Sequence, residues 1–325
     1  MTISGTGPPA HGETASAASV RGSMAGLVDL YVPLKHRLSG WWNGTFSDVK
    51  PPGAGDRRLK IDVDTSEDGE PKIWSPTRLK IVQDVFGDGF IEPGGASFAR
   101  KLLAPADADP SKTILDLSIG LGGTAVAIVR EHEVWMEGLD PESRLVDRTR
   151  EFVRSNMLSR RINIKPVDYA TFSPKSEKYD VMYSRDRLFT TPHKPRIISQ
   201  VGTALKKNGK FLVIDYMVAS HDNAAPEYQN WIAAEPERAV PWTEARYLEA
   251  FTGAGLKLRA SQDFSPQYIE QIESGWHKML RDLEANEVDR PYVNALIREG
   301  ELWLARSRAL EAGVVKVIRL LATRG

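Results

Sequence analysis

From residue 113 onward, short apolar runs alternate with longer stretches whose apolar residues recur every three or four positions. The short runs predict buried strands and the longer stretches predict helices lying against them. Strands are expected at Thr113 to Leu117, Val134 to Leu139, Ile162 to Pro166, Asp180 to Tyr183 and Phe211 to Tyr216, with two more at Lys257 to Ser261 and Val314 to Leu321. Such alternation is the signature of an α/β fold, a mainly parallel sheet flanked by helices. Between the last two strands, Ile269, Ile272, Trp276, Met279, Leu280 and Leu283 share one helical face, and Val293, Leu296, Ile297, Trp303, Leu304 and Leu310 share another. They predict a helical pair inserted over 262–312.

The N-terminal part has a different texture. Residues 1–25 are Gly, Ala, Ser, Thr and Pro without an aromatic side chain, so they cannot bury enough surface to offset the entropy of ordering and are expected to form a disordered tail. Leu27, Leu30, Tyr31, Leu34 and Leu38 then recur at helical spacing, with Pro33 set to kink the helix and Trp41 and Trp42 following. This amphipathic piece either packs on its own domain, the commoner outcome, or makes a peripheral contact with a membrane surface or a partner protein. Residues 50–72 mix Pro, Gly and charges and read as a linker. The expected organisation is a tail (1–25), an N-terminal helix and linker (26–72) and one catalytic domain (73–325).

Composition narrows the function. The 325 residues carry 43 Lys and Arg against 43 Asp and Glu. A neutral chain offers little for a nucleic acid, whose binding rests on phosphate neutralisation. Zero cysteines exclude disulfides, thiolate nucleophiles and Cys-ligated metals. The histidines have no metal-ligand spacing, so no metal is expected. No run approaches the roughly 20 apolar residues of a membrane span, and no secretory signal pattern opens the chain, which makes the cytoplasm the default location. Oligomeric state is not legible.

The chemistry concentrates in ILDLSIGLGGTAVAIV. Here a strand containing Asp116 turns through Ser118, Gly120, Gly122 and Gly123 into an Ala/Val/Ile helix, the junction at which a nucleotide cofactor meets backbone N–H groups and a helix N-terminus. Asp140 ends the next strand, at the spacing of a ribose-binding acid, and Asp168 ends the one after it. Three acids at successive strand ends are far more specific than glycines alone. Gly120, Gly122 and Ala125 also satisfy the dinucleotide pattern G-x-G-x-x-A, so an NAD-dependent oxidoreductase is one alternative. The opening Asp116 and the two late strands separated by helices instead resemble Rossmann-like methyltransferases that use S-adenosylmethionine (SAM), with Ser118 in place of the first glycine of D-x-G-x-G-x-G.

VFGDGFIEPGG (85–95), LDLSIGLGG (115–123), YDVMYSRD (179–186) and LKKNGKFLVIDYM (205–217) further resemble, in order and spacing, blocks of phosphoethanolamine N-methyltransferases, over about residues 74–218. The resemblance implies SAM as cofactor, its amino-acid end near Gly94, Gly95, Gly120 and Gly122, its ribose on Asp140 and its adenine on Asp168. It places Arg185 and Asp186 at the methyl-transfer end. It also implies a small-molecule acceptor, of which an amine is the leading candidate.

The departures fall on the acceptor side. Where that family carries a His beyond S-R-D and a Tyr before the V-F-G block, this chain has Thr190 and Trp74, and neither can act as a base. Tyr216 keeps the tyrosine of the D-Y pair, and Arg238, Arg306 and Arg308 are the basic candidates for a phosphate. His193 is either a displaced base beside Asp186 or an exposed residue at a helix start. The missing Tyr/His pair leaves a third reading, a SAM-binding scaffold without catalysis.

Overall fold

The computed structural model describes residues 73–220, 224–283 and 290–325. The tail, the Leu27 to Trp42 segment and the linker lie outside the described residues. Seven strands form one sheet: β1 (Thr113–Asp116), β2 (Trp135–Asp140), β3 (Ile162–Pro166), β4 (Tyr179–Arg185), β5 (Leu205–Val218), β6 (Leu256–Asp263) and β7 (Val315–Arg324), in the order β3-β2-β1-β4-β5-β7-β6. β3, β2, β1, β4 and β5 run parallel, and β7 inserts antiparallel between β5 and β6. This is the Rossmann-like fold of class I methyltransferases.

Nine helices are described: α1 (Pro76–Phe86), α2 (Gly95–Leu103), α3 (Gly123–His132), α4 (Ser143–Ser155), α5 (Lys194–Ala204), α6 (Pro226–Ala234), α7 (Glu244–Gly253), α8 (Ser265–Leu283) and α9 (Arg290–Glu311). Because strand side chains alternate between faces, β5 sends Leu212, Ile214, Tyr216 and Val218 into one core and Phe211, Val213 and Met217 into the other. The first core also holds Trp276 of α8 and Trp303 of α9, so the helical pair packs by its apolar stripes onto that face. All seven expected strands are present. β5 starts six residues earlier than its apolar run, because Lys206, Lys207 and Asn208 stay in the strand through a register shift against β4, with Asn208 taking a left-handed φ of 62°. The apolar run that predicted this strand begins only at Phe211, since the polar residues of the bulge add no apolar signal.

Candidate functional site

The carboxyl ends of β1, β2 and β4 meet at one edge of the sheet, where a cleft opens beneath α9. Its floor is the turn after β1. Gly120 and Gly122 adopt φ of 55° and 88°, the left-handed region that a side chain penalises. A Cβ at Gly122 would stand 2.8 Å from Thr149 Cγ2, and one at Gly123 2.5 Å from the Gly89 carbonyl oxygen. That oxygen accepts from the Gly123 N–H at 2.7 Å, so the loop between α1 and α2 lies across the N-terminus of α3 as a roof.

Asp140 lines the cleft and accepts from the backbone N–H groups of Gly120 (3.2 Å) and Glu142 (2.9 Å). Each carboxylate oxygen keeps a second lone pair for a ligand hydroxyl. Burial pushes this carboxyl up to about 6, against the pull of Arg187 and the two amides. Asp116 lies deeper: it accepts from the Ser118 N–H at 2.8 Å and from the Tyr183 hydroxyl, and burial pushes it up to about 7. It shapes the turn from below, while Ser118 faces the cleft and its hydroxyl accepts from the Arg185 N–H at 2.9 Å.

Beyond β4 the chain turns at Asp186, whose φ is 52°. Its buried carboxylate accepts from the Tyr268 hydroxyl of α8 at 3.0 and 3.1 Å and lies 3.7 Å from Arg185 Nε. Burial raises its pKa, opposed by the charges of Arg185 and Arg306. Arg185 donates to the Pro93 carbonyl at 2.6 Å and to Tyr268 at 3.0 Å, leaving Nη1 buried without a hydrogen-bond partner among the described residues. Glu92, in the roof, faces the same space. Burial pushes its carboxyl up to about 8.

The far wall is ionic. Arg306 of α9 forms a two-pronged pair with Glu235, both bonds 2.8 Å; Arg78 of α1 pairs with Glu299 of α9 at 2.7 Å; Arg187 pairs with Glu237 at 2.6 Å. Trp74, Phe189, Thr190 and Trp303 also line the cleft. Arg78 covers the ring of Trp74 at 4.2 Å, and Arg306 that of Trp303 at 4.5 Å.

Ser118, Gly120, Asp140, Arg185, Asp186, Trp74 and Thr190 are thus brought together as expected residues of one cleft. Gly94 and Gly95 start α2 in left-handed conformations at the roof's end, behind the lining. Asp168 is exposed beyond β3, accepting from the Ala170 N–H and the Thr171 hydroxyl, outside the cleft lining. His193 is the exposed N-cap residue of α5, also outside it. His193 thus occupies the exposed helix-start position, the second of the two readings the sequence left open. Tyr216 is fully buried against Phe189, Trp231 and Tyr268, and its hydroxyl has no partner among the described residues. Arg238 and Arg308 are exposed; Arg306 is the arginine that enters the site.

Glu92, Glu235, Tyr268 and Glu299 are site residues that sequence reasoning missed. Two had a signal. Leu296, Glu299, Trp303, Arg306 and Leu310 follow one another at three- and four-residue steps, so an acid and a base interrupt an apolar helical stripe where a charge is costly unless it has a partner. Tyr268 sits one turn before Ile272 on the stripe of α8. Glu235 has no such pattern around it.

Residues 95–261 match the methyltransferase domain family. The chain belongs to that family. It is a SAM-dependent methyltransferase, and the nicotinamide alternative falls away. Phosphoethanolamine N-methyltransferase of Plasmodium falciparum is 25% identical over 215 residues, which make up 66% of this chain and 79% of that enzyme. Among solved structures, phosphoethanolamine N-methyltransferase 2 of Haemonchus contortus superposes with a TM-score of 0.67 at 18% identity, over 76% of this chain and 56% of that one. The chain therefore spans little more than half the length of the worm enzyme. Geranyl diphosphate C-methyltransferase of Streptomyces coelicolor A3(2) covers 90% of this chain and 99% of its own at a TM-score of 0.57 and 15% identity. The two likenesses concern different acceptor atoms, nitrogen and carbon, on one fold.

The residues present fit the cofactor. A glycine cradle without side chains, a buried carboxylate beside it, and an arginine with an unpartnered buried Nη1 match a ribose and an amino-acid end. Among the described residues, no group of His, Asp and Glu is arranged to hold a metal ion.

Proposed function

We propose that this methyltransferase moves the SAM methyl group onto the nitrogen of a small amine that carries no phosphate. The ionic wall carries this reading. Arg78, Arg187 and Arg306 each already hold a carboxylate, and a phosphate entering the cleft would have to displace one of them. An exchange of one buried charge pair for another gains little. The acids outnumber the arginines: against Arg78, Arg185, Arg187 and Arg306, the acids Asp140, Asp186, Glu235, Glu237 and Glu299 leave one negative charge in excess even with Glu92 protonated. The surplus negative charge favours a cationic acceptor.

When bound, SAM supplies an already activated methyl on its sulfonium. The protein's share of the work is then to orient an acceptor and exclude water, which can be worth about 7–11 kcal/mol. In this reading Gly120 and Gly122 give backbone approach, Asp140 holds the ribose hydroxyls, Asp168 is assigned the adenine amino group, and Arg185 takes a carboxylate through Nη1. Asp186, fixed by Tyr268, receives the acceptor's ammonium and assists loss of its proton, a step an amine must make before attack. Trp74 and Thr190 form walls, and Trp74 presents a larger apolar face than a tyrosine, which suits an acceptor bulkier than phosphoethanolamine. Tyr216 supports the wall from behind. His193 and Arg238, both exposed, have no part in it.

Measuring SAH (S-adenosylhomocysteine) release with phosphoethanolamine, larger unphosphorylated amines and phenols tests the acceptor. Turnover is expected with an amine. Efficient turnover of phosphoethanolamine would overturn the reading. For the cofactor half, Asp140→Ala is expected to weaken SAH binding by about 1–3 kcal/mol, because two ribose hydroxyls lose their acceptor. Calorimetric affinity equal to that of the parent would remove Asp140 from the ribose.

A further inference from the structure

Glu92 is the charged group that neither the sheet edge nor the ionic wall explains. It lies in the roof, between Ile91 and Pro93, and lines the cleft. Its Oε1 comes within 3.3 Å of the point where a side chain on Gly120 would begin, so the carboxylate stands over the glycine cradle itself. Its own backbone N–H is the one hydrogen-bond donor to it among the described residues. Glu92 is half-buried, and a carboxylate in such a place gives up part of its hydration unless something positive joins it.

Beside it, Arg185 is fastened to the roof through the Pro93 carbonyl and keeps Nη1 free. A guanidinium and a carboxylate side by side over a glycine turn are complementary to a zwitterion, one charge for each end of an α-amino acid. We infer that Glu92 is the residue that binds the α-ammonium of SAM and SAH, with Arg185 taking the neighbouring carboxylate. This inference rests on SAM being the cofactor, and it gives the roof loop a chemical function in addition to its covering one.

The charges facing Glu92 are Arg185 and Asp186 from the end of β4 and Asp116 from the end of β1, with the Tyr183 hydroxyl nearby. Burial and the two acids push its carboxyl up to about 8, against the pull of Arg185. Without ligand it is therefore mostly protonated at pH 7. Pairing with an ammonium requires the anion, so the proton must leave to solvent as the ligand enters, and affinity rises with pH up to about 8.

The test is calorimetry on the full chain with two probes, SAH and 5′-methylthioadenosine, which has the nucleoside and thioether but no amino acid. At pH 8, Glu92→Gln is expected to weaken SAH roughly tenfold or more, the scale of a charge-assisted hydrogen bond, and to leave 5′-methylthioadenosine unchanged. Titrations at pH 7 in buffers of different ionisation enthalpy should show about one proton released per SAH by the parent and none by the variant. Equal weakening of both probes would mean that the substitution merely disturbs the roof, and would overturn the assignment. So would unchanged SAH affinity, even if methyl transfer fell, since Glu92 would then serve the acceptor. Failure of the parent to bind SAH at all would instead defeat the cofactor reading on which the inference rests.

Discussion

Asp186→Asn is expected to lower kcat with an amine acceptor by at least about 100-fold, the range lost when a positioned proton acceptor is removed, while SAH affinity falls far less. Asparagine is the informative replacement. It tolerates the left-handed backbone at this position, where φ is 52°, and it can still accept from Tyr268, so the turn survives and only the charge is lost. The pH profile gives a second readout. Burial raises the Asp186 pKa, and a protonated carboxyl cannot take up the ammonium, so the parent's rate should decline as pH falls through that group's ionisation. The variant should lack this limb. A variant with parental kcat would show that the acceptor's proton leaves by another route.

The second large effect is expected at Glu235, the partner of Arg306. Its side chain is 1% exposed and that of Arg306 12%, and removing one member of a buried pair strands the other charge. Glu235→Gln should therefore destabilise the fold by about 3 kcal/mol, read as a lower denaturation midpoint with an unchanged slope. Inorganic phosphate should restore part of this loss in the variant, because Arg306 regains an anion, and should do nothing for the parent. If Arg306 is the cation that Glu235 withholds from phosphates, the variant should also gain measurable affinity for phosphoethanolamine. Equal stability of the two proteins, with no response to phosphate, would mean that the pair does not govern what the cleft accepts.

How much of this was legible in the sequence follows from where each signal is local. Apolar runs and the glycine turn report on neighbours in the chain, so the seven strands, the inserted pair α8 and α9, and the floor residues Gly120 and Asp140 could be read directly. Arg185 and Asp186 followed from a resemblance whose motif is contiguous. The ionic wall could not be read in this way, because its pairs join residues 71 (Arg306 and Glu235) and 221 (Arg78 and Glu299) positions apart. Pairing across such distances is a property of the packed helices. Glu92 was hidden for the opposite reason. It sits inside a motif that carried the resemblance, and the glycines around it drew attention away from the one charge in GFIEPGG. Arg238 and His193 show the limit of selecting by residue type: both have suitable chemistry, and both are exposed outside the cleft lining.

Among the described residues, the outermost strand, β6, pairs on one side only, with β7, and all its residues after Leu256 are exposed. An open edge of this kind is a template on which another chain can add a strand. Here the row carries Lys257, Arg259 and Asp263, and the ladder to β7 slips between Leu258 and Ala260. Charge and a broken register both work against a seventh-to-eighth strand pairing, so the sheet terminates in a surface that resists fibrillar addition. The opposite edge, β3, ends in Pro166, which has no N–H to offer a newcomer. Protection from aggregation is thus written into the two margins of the sheet, away from the residues that handle the methyl group.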